Sequence, residues 1–210
     1  MAQAVLEWRL ALINIQPETI AWNTNLVKQE DVPKDWPDVL DPKWKGQIMT
    51  ADPRNAISLM AWCQLMRQKY GDDFLRKYGA QQLKLVNSTV PGSQQMAAGA
   101  AALLVPDIHA PVAALQADKA PVADFVPDFT TGIEGPGAVV AKAPHPNAAR
   151  LLFNYLLTPE GQHAQNAETG ASSVLPNIPD TPPLPKNYTS LNLAEVKAAS
   201  GQILELLGIH

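Results

Sequence analysis

Apolar and polar positions change period several times along the 210-residue chain, and each change marks an element. The run "RLALINIQPETIAWNTN", residues 9–25, is rich in β-branched and aromatic residues on both sides of Pro17, which predicts an extended strand or strand pair ending at Asn23. Residues 26–47 are polar and broken by proline, so they carry short helical turns at most, and Gly46 releases the chain into a strand at Gln47 to Thr50. Asp52 is a good N-cap and Pro53 suits a first helical position, so a helix is expected at once, running to Tyr70 with Gly71 as its stop. Its apolar residues Ile57, Met60, Ala61, Leu65 and Met66 recur near three and four.

A second helix is predicted over Asp72 to Tyr78, closed by Gly79, and "LKLV", residues 83–86, is the next strand. "NSTVPGSQQMAAG" then offers capping side chains at Asn87, Ser88 and Thr89 for a short helix that stops at Gly99. "AALLV" reads as a buried strand ending at "PDIHAP", residues 106–111, followed by a strand at "VADFV" and a Gly-rich turn, "TTGIEGPGAVVAKA", into another. "HPNAARLLFNYLLTPEGQHAQNAETG" predicts two helices, the first with Leu151, Leu152, Tyr155 and Leu156 on its apolar face, the second capped by Thr158, opened by Pro159 and ended by Gly170. An amphipathic helix closes the chain from Asn192 to Leu207, with Val196, Ala199, Ile203, Leu206 and Leu207 on one side. "NIPDTPPLPKNY", residues 177–188, reads as an extended surface crossing between two packed pieces. Strands alternating with helices favour an α/β sheet covered on both faces. Ligand sites in such sheets gather where strands end and helices begin.

Composition narrows the function classes. With 46% hydrophobic and 17% charged residues the chain reads as soluble and globular, and a net charge of −4 gives no basic footprint for nucleic acid. No run approaches the ~18 to 20 apolar residues that span a bilayer. The start, "MAQAVLEW", has neither a basic n-region nor a long apolar stretch, so no signal peptide is expected in it. Cys63 is the single cysteine, which rules out an intrachain disulfide; its setting in "SLMAWCQLM" predicts a small buried hydrophobe.

The succession "TIAWNTNLV", "WPDVLDPKWKGQIMTADPRNA", "GAAALLV", "APHPNAARLLFNYLLTPEGQ" and "GASSVLPNIP" resembles the bacterial extracellular solute-binding proteins of ABC importers, in their ferric-ion-binding-like branch, over most of residues 8–210. The resemblance implies a periplasmic-binding-protein-like (type II) α/β fold, here mainly its second lobe. Residues 1–19 would be an inter-lobe strand, residues 20–122 and 180–210 the solute-binding second lobe, and residues 130–178 the segment returning to the first. It implies a periplasmic or extracellular parent protein, ABC permease subunits as partners, a small-molecule solute held in an interlobe cleft, and no cofactor. The N-terminal part of the family's first lobe has no counterpart before Trp8. Unpartnered apolar faces at Leu151, Leu152 and Leu156 would then favour self-association.

The same resemblance places the ligand-binding positions at Thr50 to Asn55, at Asn87 to Ser93, and at Asp107 with His109. Ferric binders of the family hold metal through adjacent tyrosines after the third strand; here that region reads "VPDIHAP", without tyrosine. Asp107 and His109 are chemically acceptable metal ligands, but two from one strand end are too few, so no metal is expected. Within the predicted cluster, Arg54 lies beside a helix start and suits a carboxylate or phosphate, while Ser88, Thr89 and Ser93 bring hydroxyls beside free N–H groups. The expected site is therefore Thr50, Asp52, Arg54, Asn55, Asn87, Ser88, Thr89, Ser93, Asp107 and His109, taking a small organic anion. Ferric-ion binding and an inert isolated lobe are the alternatives. His145, His163 and His210 are scattered, and no nucleophile–base constellation, metalloprotease motif or P-loop is present, so an enzyme is not expected.

Overall fold

A computed structural model describes residues 10–190 and 192–209. The β-rich run forms one strand, β1 (Leu10–Asn23), which passes straight through Pro17. Its two halves belong to different compact units: one comprises the chain up to Gln16 with Ile133–Leu184, the other Pro17–Gly132 with Pro185–His210. The last crossing between units, at Leu184 and Pro185, lies inside the Pro-rich stretch 177–188.

In the larger unit the strands β2 (Ile48–Ala51), β3 (Lys84–Val86), β4 (Leu103–Ile108) and β5 (Val122–Phe125) join β1 in the order β3-β2-β4-β1-β5. β2 runs parallel to β3 and β4, with Ala51 opposite Val86 and Ile48 opposite Leu103; β1 is antiparallel to β4 and β5. The parallel pairs need helical crossovers, and α1 (Ile57–Tyr70), α2 (Asp72–Gly79) and α3 (Thr89–Ala97) supply them, with α4 (His109–Ala117) leading from β4 to β5. β4 extends past the expected end, through Pro106 and Asp107 to Ile108. A short parallel pair, β6 (Phe129–Thr130) with β8 (Asn187–Tyr188), and the closing helix α7 (Leu193–Leu207) complete the unit. Asn192 caps α7 by accepting from the Ala194 N–H at 3.0 Å.

Helices cover both faces of this sheet, as the alternation predicts. On one face α1, α2 and α7 bury an aromatic core around Trp62, whose ring meets Trp36 and Tyr78 at 5.2 Å and Phe74 at 5.9 Å, all edge to face. Cys63 is buried there, and burial pushes its thiol well above the usual range, as expected of a core hydrophobe. Gly79 lets the end of α2 lie against α7, because a Cβ there would overlap the Leu207 carbonyl. On the other face α3 and α4 pack Met96 and Val112 against Ala21, Met49, Leu104 and Val122. The 3-10 turns Gln29–Asp31, Trp36–Leu40 and Pro42–Trp44 occupy the Pro-broken polar stretch, and Trp36 donates from Nε1 to the Phe129 carbonyl at 2.6 Å.

The smaller unit holds the first half of β1, strand β7 (Gly132–Ala138) from Ile133 on, and helices α5 (Pro146–Leu156) and α6 (Pro159–Asn166). β7 corrects the expected Gly-rich turn: the glycines themselves lie in the strand that pairs with β1. The close approach explains them, since a Cβ at Gly135 would meet the Asn14 side chain and one at Gly137 the Phe153 ring. Thr158 caps α6 by accepting from the Gly161 N–H at 3.1 Å. Gln162, fully buried, ties the unit together: its Nε2 donates to the carbonyls of Ile13 and Leu156, and its Oε1 accepts from Ser173 Oγ and the Val174 N–H. Leu151 is 73% and Leu152 58% exposed on α5.

Candidate functional site

Parallel pairing sets the C-terminal ends of β3, β2 and β4 side by side, so the turns that follow them share one end of the larger unit's sheet. Those turns contain most of the expected site residues. After β2, Asp52 donates from its backbone N–H to the Val86 carbonyl at 2.8 Å, which joins the first turn to the end of β3.

The turn itself differs from the expectation. Asp52 does not cap a helix starting at Pro53; residues Pro53 to Asn55 form a tight turn, and α1 begins at Ile57 with Ala56 at its N-cap. The reason is a local competitor: the Asp52 carboxylate accepts from the backbone N–H of Arg54 at 2.9 Å and is gripped by the same residue's guanidinium, with Nη2 donating to Oδ2 at 2.7 Å and Nε to Oδ1 at 3.0 Å. An Asx turn thereby displaces the N-cap geometry. The guanidinium holds the Asp52 carboxyl below the usual carboxylate range. Since Ala56 has no side-chain acceptor, the first N–H groups of α1 have no cap of their own.

The second turn places Asn87 and Ser88 in solvent and Thr89 at the start of α3. Ser88 occupies the N-cap position, but its side chain makes no capping bond, so this helix start too presents uncapped amides. Ser93, one turn on, is fully buried; its hydroxyl lies 2.9 Å from the Thr89 carbonyl and 2.8 Å from Asp107 Oδ2.

Asp107 is 0% exposed at the end of β4, and Thr50 is buried at the end of β2. Neither offers a surface to a solute in this structure, because both side chains are covered by the helices that pack on the sheet. Asp107 does not cap α4 either; Ile108 is the N-cap. Burial carries the Asp107 carboxyl up to about 7. His109 opens α4 half-buried, and Asp124 on β5 holds its Nδ1 at 2.9 Å, which raises the imidazole above its ordinary value. The structure therefore brings buried Ser93 and Asp107 and half-buried His109 into one polar cluster and leaves Arg54, Asn55, Asn87 and Ser88 at the surface.

Two members of the cluster escaped sequence reasoning. Glu18 on β1 is 1% exposed and its carboxyl is raised well above the usual range, by burial first and then by the charge of Asp107, against a hydrogen bond with Ser58. Asp124 is the other. A carboxylate on a predicted strand among buried-type residues, as in "PETIAW" and "VADFV", was the available signal. Among the described residues no group of three or more His, Cys, Asp or Glu is disposed to hold a metal ion.

The fold belongs to a known class. A family model for bacterial extracellular solute-binding proteins matches residues 7–195, and the chain is a member of that family. A curated relative from Haemophilus influenzae, itself uncharacterized, is 30% identical over 153 residues, which is 70% of this chain and 44% of the relative; the chain thus spans less than half of that protein's length. Among solved structures, the substrate-binding protein of an Agrobacterium tumefaciens ABC transporter superposes with a TM-score of 0.77 at 16% identity, over 94% of this chain and 66% of that one. The periplasmic binding protein AfuA of Actinobacillus pleuropneumoniae, solved with fructose-6-phosphate, gives 0.72 at 18% identity, over 97% and 70%. Iron-bound HitA of Pseudomonas aeruginosa gives 0.71 at 17% identity, over 95% and 68%. At such identities the likeness shows the fold, a periplasmic-binding-protein-like α/β sheet covered by helices.

Proposed function

We propose that this chain is the solute-capturing component of an ABC importer, or a portion of one, and that its larger unit presents the second-lobe wall of the binding site to a small organic anion. The parent protein would work outside the cytoplasmic membrane and deliver its solute to permease subunits. One observation carries the anion class: the starts of α1 and α3, both without side-chain caps, follow adjacent parallel strands. Unpaired N–H groups and the positive ends of two helix dipoles then converge on one region, which favours negative charge. Arg54 stands beside them, oriented by Asp52, and Asn87, Ser88 and Thr89 add polar side chains on the second turn. Asp52 offsets part of the Arg54 charge, so the backbone amides are the larger part of the attraction. Thr50, Ser93 and Asp107 shape the wall from beneath it, and His109 sits at its margin.

Thermal-shift titrations with small carboxylates, phosphate and phosphonates, with polyamines and metal ions as contrasts, test the reading. An anion should raise the midpoint saturably, and Arg54→Ala should weaken its apparent affinity by about tenfold to a hundredfold, the worth of a charge-assisted hydrogen bond. Stabilisation by polyamines alone would reverse the assigned charge of the solute, and turnover of a substrate without saturable stabilisation would replace binding by catalysis.

Exposed Leu151 and Leu152 on α5 further support self-association of the chain. Light scattering behind size exclusion should show concentration-dependent oligomers that Leu151→Glu, Leu152→Glu reduces to monomer; a wild-type monomer at high concentration would refute this.

A further inference from the structure

The contacts of Ser93 contain a hydrogen-counting problem. Its hydroxyl oxygen lies 2.9 Å from the Thr89 carbonyl and 2.8 Å from Asp107 Oδ2, and both of those atoms are acceptors when Asp107 is ionised. A hydroxyl owns one hydrogen, so it serves one of them fully and leaves the other facing an oxygen. Ser93 and Asp107 are both fully buried, and burial without a partner is costly. A second proton removes the conflict. Placed on Asp107 Oδ2, it is donated to Ser93 Oγ, and the Ser93 hydrogen is released to the Thr89 carbonyl.

We propose that Asp107 is a proton-carrying positioning residue: its protonated carboxyl donates to Ser93, which then donates to Thr89 and pins the first turn of α3 against the end of β4. When the proton leaves, the Ser93 hydroxyl turns to the carboxylate and the Thr89 carbonyl loses its side-chain donor. The seating of the α3 start thus depends on pH. The inference rests on the solute-site reading for its consequence, since the α3 start is part of the proposed anion wall, but not for its chemistry.

The surroundings favour the neutral acid. Facing Asp107 are Glu18 from β1, Asp124 from β5 and His109 at the start of α4, while α3 contributes the uncharged Ser93. Two of those three titratable neighbours are carboxyls, and the one cation-forming group, His109, is held by Asp124 at 2.9 Å. Burial and the charge of Asp124 act against ionisation and outweigh the Ile108 N–H, the Ser93 hydroxyl and His109, which favour it. The Asp107 carboxyl accordingly lies at about 7, where a modest change of pH alters its state.

Carboxyl-carbon NMR of the full chain, paired with amide hydrogen exchange between pH 6 and 8, tests this without any solute. Asp107 should titrate near neutrality. The protection of the Gly92 and Ser93 amides, corrected for intrinsic exchange, should fall roughly tenfold across that range in the wild type. Asp107→Asn, whose amide donates to Ser93 as the acid does, should keep that protection level with pH. Ser93→Ala should hold it low throughout. An Asp107 carboxyl titrating in the ordinary carboxylate range would overturn the proposal on the wild type alone, whether or not a variant folds; parallel pH profiles for wild type and Asp107→Asn would overturn it as well. Failure of the anion titrations with these results intact would instead refute the solute reading and leave the proton relay standing.

Discussion

Trp62→Ala should cost the protein about 3 to 5 kcal/mol, the largest stability loss expected of any single side chain described above. Trp62 is fully buried on α1 and, among the described residues, is the one ring that touches all of Trp36, Phe74 and Tyr78, so it links the turn Trp36–Leu40 with α1 and α2. Truncation leaves a cavity whose walls are themselves rigid aromatic rings, which restricts collapse and places the cost high in that range. Against a usual total of about 5 to 15 kcal/mol, a loss of this size brings a marginal domain close to unfolding. The indole N–H has no hydrogen-bond partner, so Trp62→Phe, which removes that buried donor and keeps a ring, should cost under about 1.5 kcal/mol. Urea unfolding followed by far-ultraviolet circular dichroism measures both. A Trp62→Ala loss below about 1 kcal/mol would show that the aromatic cluster does not carry the core.

The helices and strands were legible from periodicity because burial imposes it. α2 and α7 place their apolar residues on one side, whereas α1, with Leu59 to Cys63 all buried, is covered nearly all round, and glycine or a polar cap marks the helix ends. β7 was not legible: its glycines look like a turn in the sequence, and only the crowding by Asn14 and Phe153 explains why a strand needs them. The start of α1 was misplaced for a related reason. Asp-Pro is a helix-opening signal when the Asp side chain is available, and here the next cation, Arg54, takes it. That competition depends on a rotamer rather than on a pattern.

The site divides in the same way. The residue pattern located the strand ends in the sequence, the family likeness pointed to the turns after them as expected ligand positions, and parallel pairing brings the ends of β2, β3 and β4 together. Which of the residues face solvent was not legible, because one position's difference along a strand decides whether a side chain lies under a helix or beyond it. Asp107 on β4 lies under the helices, Ser93 is on the inner face of α3 itself, and Asn87 and Ser88 in the turn before α3 stay exposed. The carboxyl of Glu18 joins the buried group only through the pairing of β1 with β4, which sets Thr19 opposite Asp107, far along the chain.

Those buried carboxyls make the stability of the larger unit fall as pH rises, contrary to the behaviour of ion-paired surface carboxylates. Asp107 is carried from its ordinary 3.8 to about 7, and Glu18 moves in the same direction. Below about pH 4 both carboxyls are protonated in the folded and the unfolded chain, and the environment contributes its full relative stability. Above that, the unfolded chain gives up its protons while the folded chain keeps them, so the folded state binds more and the stability declines with pH. For Asp107 the decline is complete once pH passes about 7, and it amounts to about 4 kcal/mol across the window. Asp107→Asn removes this ionisation, so the difference between its stability and that of the wild type should rise in favour of the variant from about pH 4 to about pH 7 and then level off. His109, raised by Asp124, also loses stability as pH rises, but it is present in both proteins and largely cancels in the difference. Glu18→Gln should show the same sign and add to the first effect, less than additively because the two carboxyls interact. Chemical denaturation of the three proteins at a series of pH values reads these differences directly; profiles for wild type and Asp107→Asn that stay parallel would mean that Asp107 ionises in the folded chain as it does in water.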